Sequence, residues 1–164
     1  MRKILIGIMG PGTGASDADQ QNAHELGKLI AQEGWVLLTG GRNAGVMQAA
    51  NRGAKAANGL TVGILPSADD SGISDAVDIA IFTDMGSARN NINVLSSDVV
   101  IACGMGAGTA SEVALALKAN KPVVLLSKHQ ESQRFFTSLS AATVFVAKTP
   151  EAAIAIVKDL IQHQ

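Results

Sequence analysis

Short runs of aliphatic and β-branched residues recur along the chain, at about Ile4–Met9, Trp35–Thr39, Thr61–Leu65, Asp78–Phe82, Asp98–Ala102, Pro122–Leu126 and Thr143–Val146. Most are unbroken apolar runs rather than alternations, which is the pattern of strands covered on both faces, as in a parallel sheet. Between them lie alanine-rich stretches with helical spacing, roughly Asp17–Glu33, Ala44–Ala57, Ser87–Ser96, Thr109–Ala119 and His129–Ser138, and a last one at Pro150–Gln162. Strand and helix alternate throughout. The pattern therefore predicts an α/β fold: a doubly wound, mostly parallel sheet of about seven strands flanked by helices.

Local punctuation agrees with these boundaries. Glu33-Gly34 and Asn58-Gly59 close two predicted helices, Asn120 closes another, and Thr149-Pro150-Glu151 is an N-cap followed by proline at the first helical position. Ser16 and Asp17 are suited to cap the first helix. With no low-complexity stretch, long linker or fixed-period repeat, residues 1–164 are expected to form a single domain.

Ligands of open α/β sheets collect outside the carboxyl ends of the strands. In this chain those ends read GPGTGAS, GGRNAG, PSADDSG, DMGSARN and CGMGAGT, and four of the five are rich in glycine. The last is the most informative. An apolar run, DVVIA, leads into Gly104-Met105-Gly106-Ala107-Gly108 and then into a helix expected to begin near Thr109, with Glu112 one turn inside it. Glycine lets backbone approach a ligand, the helix start leaves N–H groups unpaired, and the macrodipole adds partial positive charge, so a phosphate is the natural guest. Thr109 is placed to cap this helix, to touch phosphate, or both.

The first loop, Gly10 to Ala15, formally matches the dinucleotide pattern G-x-G-x-x-G/A. The second strand ends in VLLTGG, without the acidic residue that would bind a nicotinamide ribose, so Gly10 and Gly12 read as a tight loop beside a shared ligand site. Gly40 and Gly41 end the second strand and point to close backbone approach, while Val46, Ala49, Ala50 and Gly53 form a small-residue face expected to seat the second helix on the sheet. Arg89 and Asn90 stand at another carboxyl end, where a guanidinium suits bidentate recognition of an oxyanion.

Composition narrows the class. Thirteen basic against fourteen acidic residues give a net charge of −1 with no basic stripe, which argues against a nucleic-acid partner. With 47% apolar and only 16% charged residues, the chain has more apolar surface than a small monomer hides, so a homo-oligomer, dimer or tetramer, is expected. The single cysteine, Cys103, excludes an internal disulfide, fits a reducing compartment, and reads as a buried thiol in preference to a reactive one. The opening MRKILIGIMG breaks at glycine too early for a signal peptide or membrane span, so a cytoplasmic protein without a membrane partner is expected. His24, His129 and His163 lack ligand spacing, and no metal held by protein side chains is expected. Asp69, Asp70 and Asp75 read as a solvated mobile loop after Pro66.

The order of motifs, GGRNAGVMQAANRGAKAANGLTVGILP followed by DMGSARNNINVLSSDVVIACGMGAGTASEVALALKANKPVVLL, resembles the Rossmann-like superfamily that contains the LONELY GUY cytokinin-activating phosphoribohydrolases. The similarity spans about Met1 to Leu126, and within the superfamily the chain is most similar to the molybdenum cofactor carrier proteins. That resemblance implies an oligomeric, non-catalytic protein that holds molybdenum cofactor, a pterin with a terminal phosphate, as cargo, exchanging it with molybdoenzymes or cofactor-synthesis proteins. Gly106, Ala107, Gly108 and Thr109 would hold the phosphate, helped by Gly40, Gly41 and Arg89, with the first- and third-strand loops beside the pterin. The hydrolase signature P-G-G-x-G-T-x-x-E falls on Gly104 to Glu112, with glycine in place of proline and Met105 in place of the first glycine. Arg89 stands one place beyond the arginine of M-x-x-R-K, and Asn90 replaces the lysine. The alternative the superfamily implies is a phosphoribohydrolase that cleaves a nucleoside 5′-monophosphate, with Arg89 and Glu112 as its catalytic pair. A nucleotide-sensing module would use the same cradle.

Overall fold

A computed structural model describes residues 2–163; Met1 and Gln164, the two ends of the expected domain, lie outside the described residues. Seven strands form one sheet: β1 (Leu5–Met9), β2 (Val36–Thr39), β3 (Thr61–Leu65), β4 (Ile79–Phe82), β5 (Val99–Cys103), β6 (Val123–Leu126) and β7 (Val144–Val146). Six helices accompany them: α1 (Asp17–Gln32), α2 (Gly45–Ala56), α3 (Asn90–Ser96), α4 (Ala107–Lys118), α5 (Gln130–Leu139) and α6 (Pro150–Gln162). The strand order is β4-β3-β2-β1-β5-β6-β7, and all six strand pairs are parallel. This is a Rossmann-like, doubly wound α/β fold, parallel throughout rather than only mostly so.

The unbroken apolar runs are explained by two cores, one on each face. Successive residues of a strand point to opposite faces. Ile6, Ile8, Leu37, Val99, Ile101, Val124 and Leu126 pack with α1, α2 and α6; Met9, Leu38, Val100, Ala102, Val123 and Leu125 pack with α3, α4 and α5. Every side chain of β2, β3, β5 and β6 is therefore buried. The edge strand β4 is the exception, with Ile79, Ile81 and Phe82 each more than two-fifths exposed. No helix connects β3 to β4, and among the described residues that edge is left largely uncovered. No helix among the described residues is long and apolar enough to cross a membrane.

The helix signals are realised at atomic detail. Ser16 accepts from the Asp19 amide while Asp19 reaches back to the Ser16 amide, a reciprocal capping box, and Thr149 accepts from the Ala152 amide ahead of Pro150. Asn58 and Asn120 adopt positive φ at helix ends, as does Gly34.

The small-residue face of α2 has a different use from the one expected. Val46 and Ala50 do face the sheet core, but Gly53 meets a helix: a Cβ there would lie 1.9 Å from the His24 carbonyl oxygen on α1, and one at Gly27 would lie 2.1 Å from that of Ala50 on α2. The two helices thus cross with backbone against backbone. Gly53→Ala gains about 1 kcal/mol in helix propensity. Overpacking against a carbonyl that cannot rotate away costs about 3 kcal/mol. A net loss of about 2 kcal/mol is expected from these two terms, read as a lower urea midpoint with unchanged slope; a midpoint at or above wild type would show that α1 and α2 can part without cost.

Candidate functional site

Strands β1 and β5 are neighbours, yet the chain leaves β1 toward β2 on one side and β5 toward β6 on the other. The loops that follow them run to α1 and α4 on opposite faces of the sheet, so a crevice opens where they diverge, as at the switch point of any doubly wound sheet. A cavity of about 340 Å³ lies there, lined by the loop from Gly10 to Gly14, by Gly40 and Arg42, and by the start of α4.

Four helices begin around this cavity; α3 continues directly from a short 3₁₀ turn at Gly86–Arg89, and the first turns of the other three are satisfied differently. The start of α1 is closed by the Ser16 capping box. At α2 the Val46 amide donates to the Pro11 carbonyl at 3.0 Å, so the neighbouring loop occupies that terminus. α4 is open. It begins at Ala107, two residues earlier than expected, with Gly106 as an N-cap that has no side chain to offer. Its first intrahelical bond runs from the Ala110 amide to the Gly106 carbonyl at 2.8 Å, which leaves the amides of Ala107, Gly108 and Thr109 pointing outward before it. Thr109 is thus the third helical residue rather than the cap. It lines the cavity, is only 2% exposed, and its hydroxyl has no hydrogen-bond partner. Buried hydroxyls are rarely left unpaired, so this one points to a missing acceptor.

The glycines divide by role. A Cβ at Gly108 would meet nothing within 4 Å, and one at Gly106 would meet only Pro11, beyond 3.5 Å, so both face open space in the cradle. A Cβ at Gly10 would lie 2.4 Å from the Cys103 carbonyl, and one at Gly40 would lie 2.7 Å from an Arg89 guanidinium nitrogen; both line the cavity and both are needed for neighbours to close in. Gly12 lines it with more room. Gly41 does not line it, and this departs from the expectation. At φ +76° it turns the chain against Gly63 and Leu65, with its amide held by Thr39 Oγ1 at 3.1 Å. Gly104, where the hydrolase signature has proline, has φ +78°, a conformation closed to proline.

Arg89 and Asn90 do not begin one helix together: Gly86–Arg89 is a short 3₁₀ turn that hands over to α3 at Asn90. Arg89 is buried. Its Nε donates to the Ile64 carbonyl at 2.8 Å, Nη2 to the Gly40 carbonyl at 3.4 Å, and Nη1 to Asn90 Oδ1. Asn90 in turn donates to Ser111 Oγ at 3.0 Å, which ties α3 to α4. Burial lowers the Arg89 pKa, the charge of Glu112 raises it, and Arg42 lowers it. Glu112, 7% exposed, accepts from Asn93 Nδ2 at 3.0 Å. Burial pushes its carboxyl up to about 7, against the opposing pull of the Asn93 hydrogen bond and the Arg89 charge.

Sequence reasoning passed over Arg42, Met47, Thr13 and Ser87, all of which line the cavity. Arg42 was the most legible of them, since it directly follows the paired glycines of the second strand. Cys103 lies buried beneath the first loop, donating to the Asp19 carbonyl at 3.3 Å; burial, and then the Asp19 charge, push its thiol up to about 12, so it carries no thiolate at neutral pH. Asp75 is exposed, as expected, and is tied to α2, because Arg52 and Gln48 both donate to its carboxylate.

Residues 3–154 match the SLOG cluster4 family. The chain belongs to that family. A solved structure of the molybdenum cofactor binding protein from the phototrophic bacterium Rippkaea orientalis has a TM-score of 0.97 and 62% identity, over 98% of this chain and 99% of that one. A structure of the Moco carrier protein from Chlamydomonas reinhardtii has a TM-score of 0.94 and 57% identity, over 99% of this chain and 100% of that one. A cytokinin riboside 5′-monophosphate phosphoribohydrolase from Mycobacterium tuberculosis is 36% identical over 94 residues, 56% of this chain and 50% of the enzyme.

The raised Glu112 pKa has a consequence for stability. An unfolded glutamate ionises near 4.5 and the folded one near 7, so between those values the folded state holds the extra proton and stability falls as pH rises; above about 7 the slope vanishes. Relative to Glu112→Gln, the wild type should lose about 2 kcal/mol between pH 5 and 8. Urea unfolding of both proteins across that range checks it, and parallel curves would mean that Glu112 ionises as an ordinary glutamate.

Proposed function

We infer that this cytoplasmic protein binds molybdenum cofactor and carries it as cargo, without transforming it, in one domain that works as a homo-oligomer. The observation that carries the reading is the open start of α4, where three amides and the buried, unpaired Thr109 hydroxyl converge on a cavity of about 340 Å³. Such an arrangement is built for a tetrahedral oxyanion: amides and hydroxyl donate, and the macrodipole adds an attraction of about 1 kcal/mol. The terminal phosphate of the pterin sits on Ala107, Gly108 and Thr109, and the ring system lies between the loop at Gly10 and Gly12 and the wall formed by Gly40, Arg89, Asn90 and Glu112. The near-complete coverage and 57–62% identity of relatives named for binding or carrying this cofactor support the same ligand.

The partners this reading implies are molybdoenzymes or cofactor-synthesis proteins. Oligomerisation is supported by the uncovered edge, where Ile79, Ile81, Phe82 and Met85 are 43–49% exposed; sequence composition pointed the same way.

A second reading, hydrolysis of a nucleoside 5′-monophosphate, is favoured by one observation: a buried carboxyl that titrates near 7 is tuned for general acid–base work, and Glu112 stands in the charge field of Arg89. Release of ribose 5-phosphate from a panel of monophosphates, lost in Glu112→Ala, would establish it over the carrier.

The carrier reading predicts that Gly108→Asp weakens anaerobic binding of molybdenum cofactor by about a hundredfold or more, since a carboxylate replaces the space and reverses the charge meant for phosphate. Space around Gly108 is open, so the variant should keep the wild-type circular dichroism and melting temperature. Unchanged affinity would remove the phosphate from α4.

A further inference from the structure

The cavity is lined by two guanidinium groups and a single carboxyl group, Glu112. The two cations are held in opposite ways. Arg89 is buried and spends three of its five N–H donors on protein acceptors. Arg42 is exposed, and its side chain makes no ion pair or hydrogen bond among the described residues. Arg52, ten residues on, has found a carboxylate, with Asp75 at 3.1 Å.

The backbone that carries Arg42 is nevertheless fixed. Gly41 turns at φ +76° and its carbonyl accepts from the Ser74 amide at 2.9 Å, Arg42 pairs antiparallel with Ile73, and the Asn43 amide donates to the Gly72 carbonyl at 2.8 Å. The segment between β3 and β4, which has no helix of its own, thus braces Arg42 at the cavity wall. There it lies near enough to Arg89 for the two charges to repel. Like charges held together in a cavity, one of them unpaired, are suited to an anion between them. The phosphate on α4 is already served by three amides and a hydroxyl and needs neither arginine.

We propose that Arg42 and Arg89 form a second anion subsite in this cleft, so that it selects ligands with two anionic centres, one on α4 and one beside the guanidiniums. What the second centre is rests on the carrier reading. In the loaded cofactor it is the oxo-molybdenum group on the dithiolene, whereas the metal-free pterin offers the dithiolene sulfurs alone, so the protein tells loaded cargo from empty.

Anaerobic titrations of wild type, Arg42→Ala and Arg42→Lys with molybdenum cofactor, metal-free molybdopterin, AMP and ADP test this. Wild type should prefer the loaded cofactor over the metal-free pterin by about tenfold or more, Arg42→Ala should bring the ratio to about one, and Arg42→Lys, which keeps a cation, should retain part of the preference. Equal affinity of wild type for both pterins, or a preference untouched in Arg42→Ala, overturns the subsite while leaving the carrier reading intact. If neither pterin binds and ADP is preferred over AMP in an Arg42-dependent way, the two-anion cleft stands and the carrier reading falls.

Discussion

Strand order governs this molecule. Placing β5 beside β1 means that the chain winds outward in both directions from the middle of the sheet, so helices must be shared between two faces and two loops must diverge at one carboxyl edge. The two cores follow, each closed by three helices. The crevice follows too, because the loops after β1 and β5 run to α1 and α4 on opposite faces of the sheet. A polar cavity in so apolar a chain is thus a product of topology, and its position would be the same whatever side chains lined it.

Close backbone approach then decides what the crevice can hold. Gly27 and Gly53 bring α1 and α2 together; Gly45, with φ +47° and no room for a Cβ beside the Gly12 carbonyl, lets the first loop press onto the start of α2 and take its Val46 amide. That contact silences one anion site and leaves another. In the first turn of α1 Ser16 takes one amide and in that of α2 Pro11 takes one, whereas at α4, capped by a glycine without a side chain, none of the first three amides meets a protein acceptor among the described residues. Selection among three similar helix starts is therefore made by hydrogen-bond accounting rather than by the dipole, which all three share.

Charge in the cleft is arranged by burial as much as by sequence. Glu112 and Arg89 are one acid and one base, but desolvation weakens the ionised form of both. Near neutral pH the acid is only partly ionised, so the cleft leans cationic, and Arg42 at its wall adds to that. A cleft of this kind favours anionic small molecules, and carrier and hydrolase alike would exploit it; the proposed functions differ in what Glu112 and Arg89 do to the bound ligand, not in how its phosphate is caught.

The fold and the edge that carries the cavity were legible in the order of residues alone. Continuous apolar runs fit strands buried on both faces, as β2, β3, β5 and β6 are, and Ser16, Asn58, Asn120 and Pro150 act within one turn of themselves, so such features are local and readable. Most of the cavity lining was legible for the same reason: glycine-rich strand ends must lie at the carboxyl edge. Non-local matters were set by packing instead. Gly41 faces β3 and not the ligand, Gly53 meets a helix and not the sheet, α4 opens at Ala107, the Thr109 hydroxyl is left without a partner, and Arg42 is brought beside Arg89. Gly41, Gly53 and Arg42 depend on neighbours far away in the chain, Gly63, His24 and Ile73, and no local pattern of residues encodes where those neighbours will be.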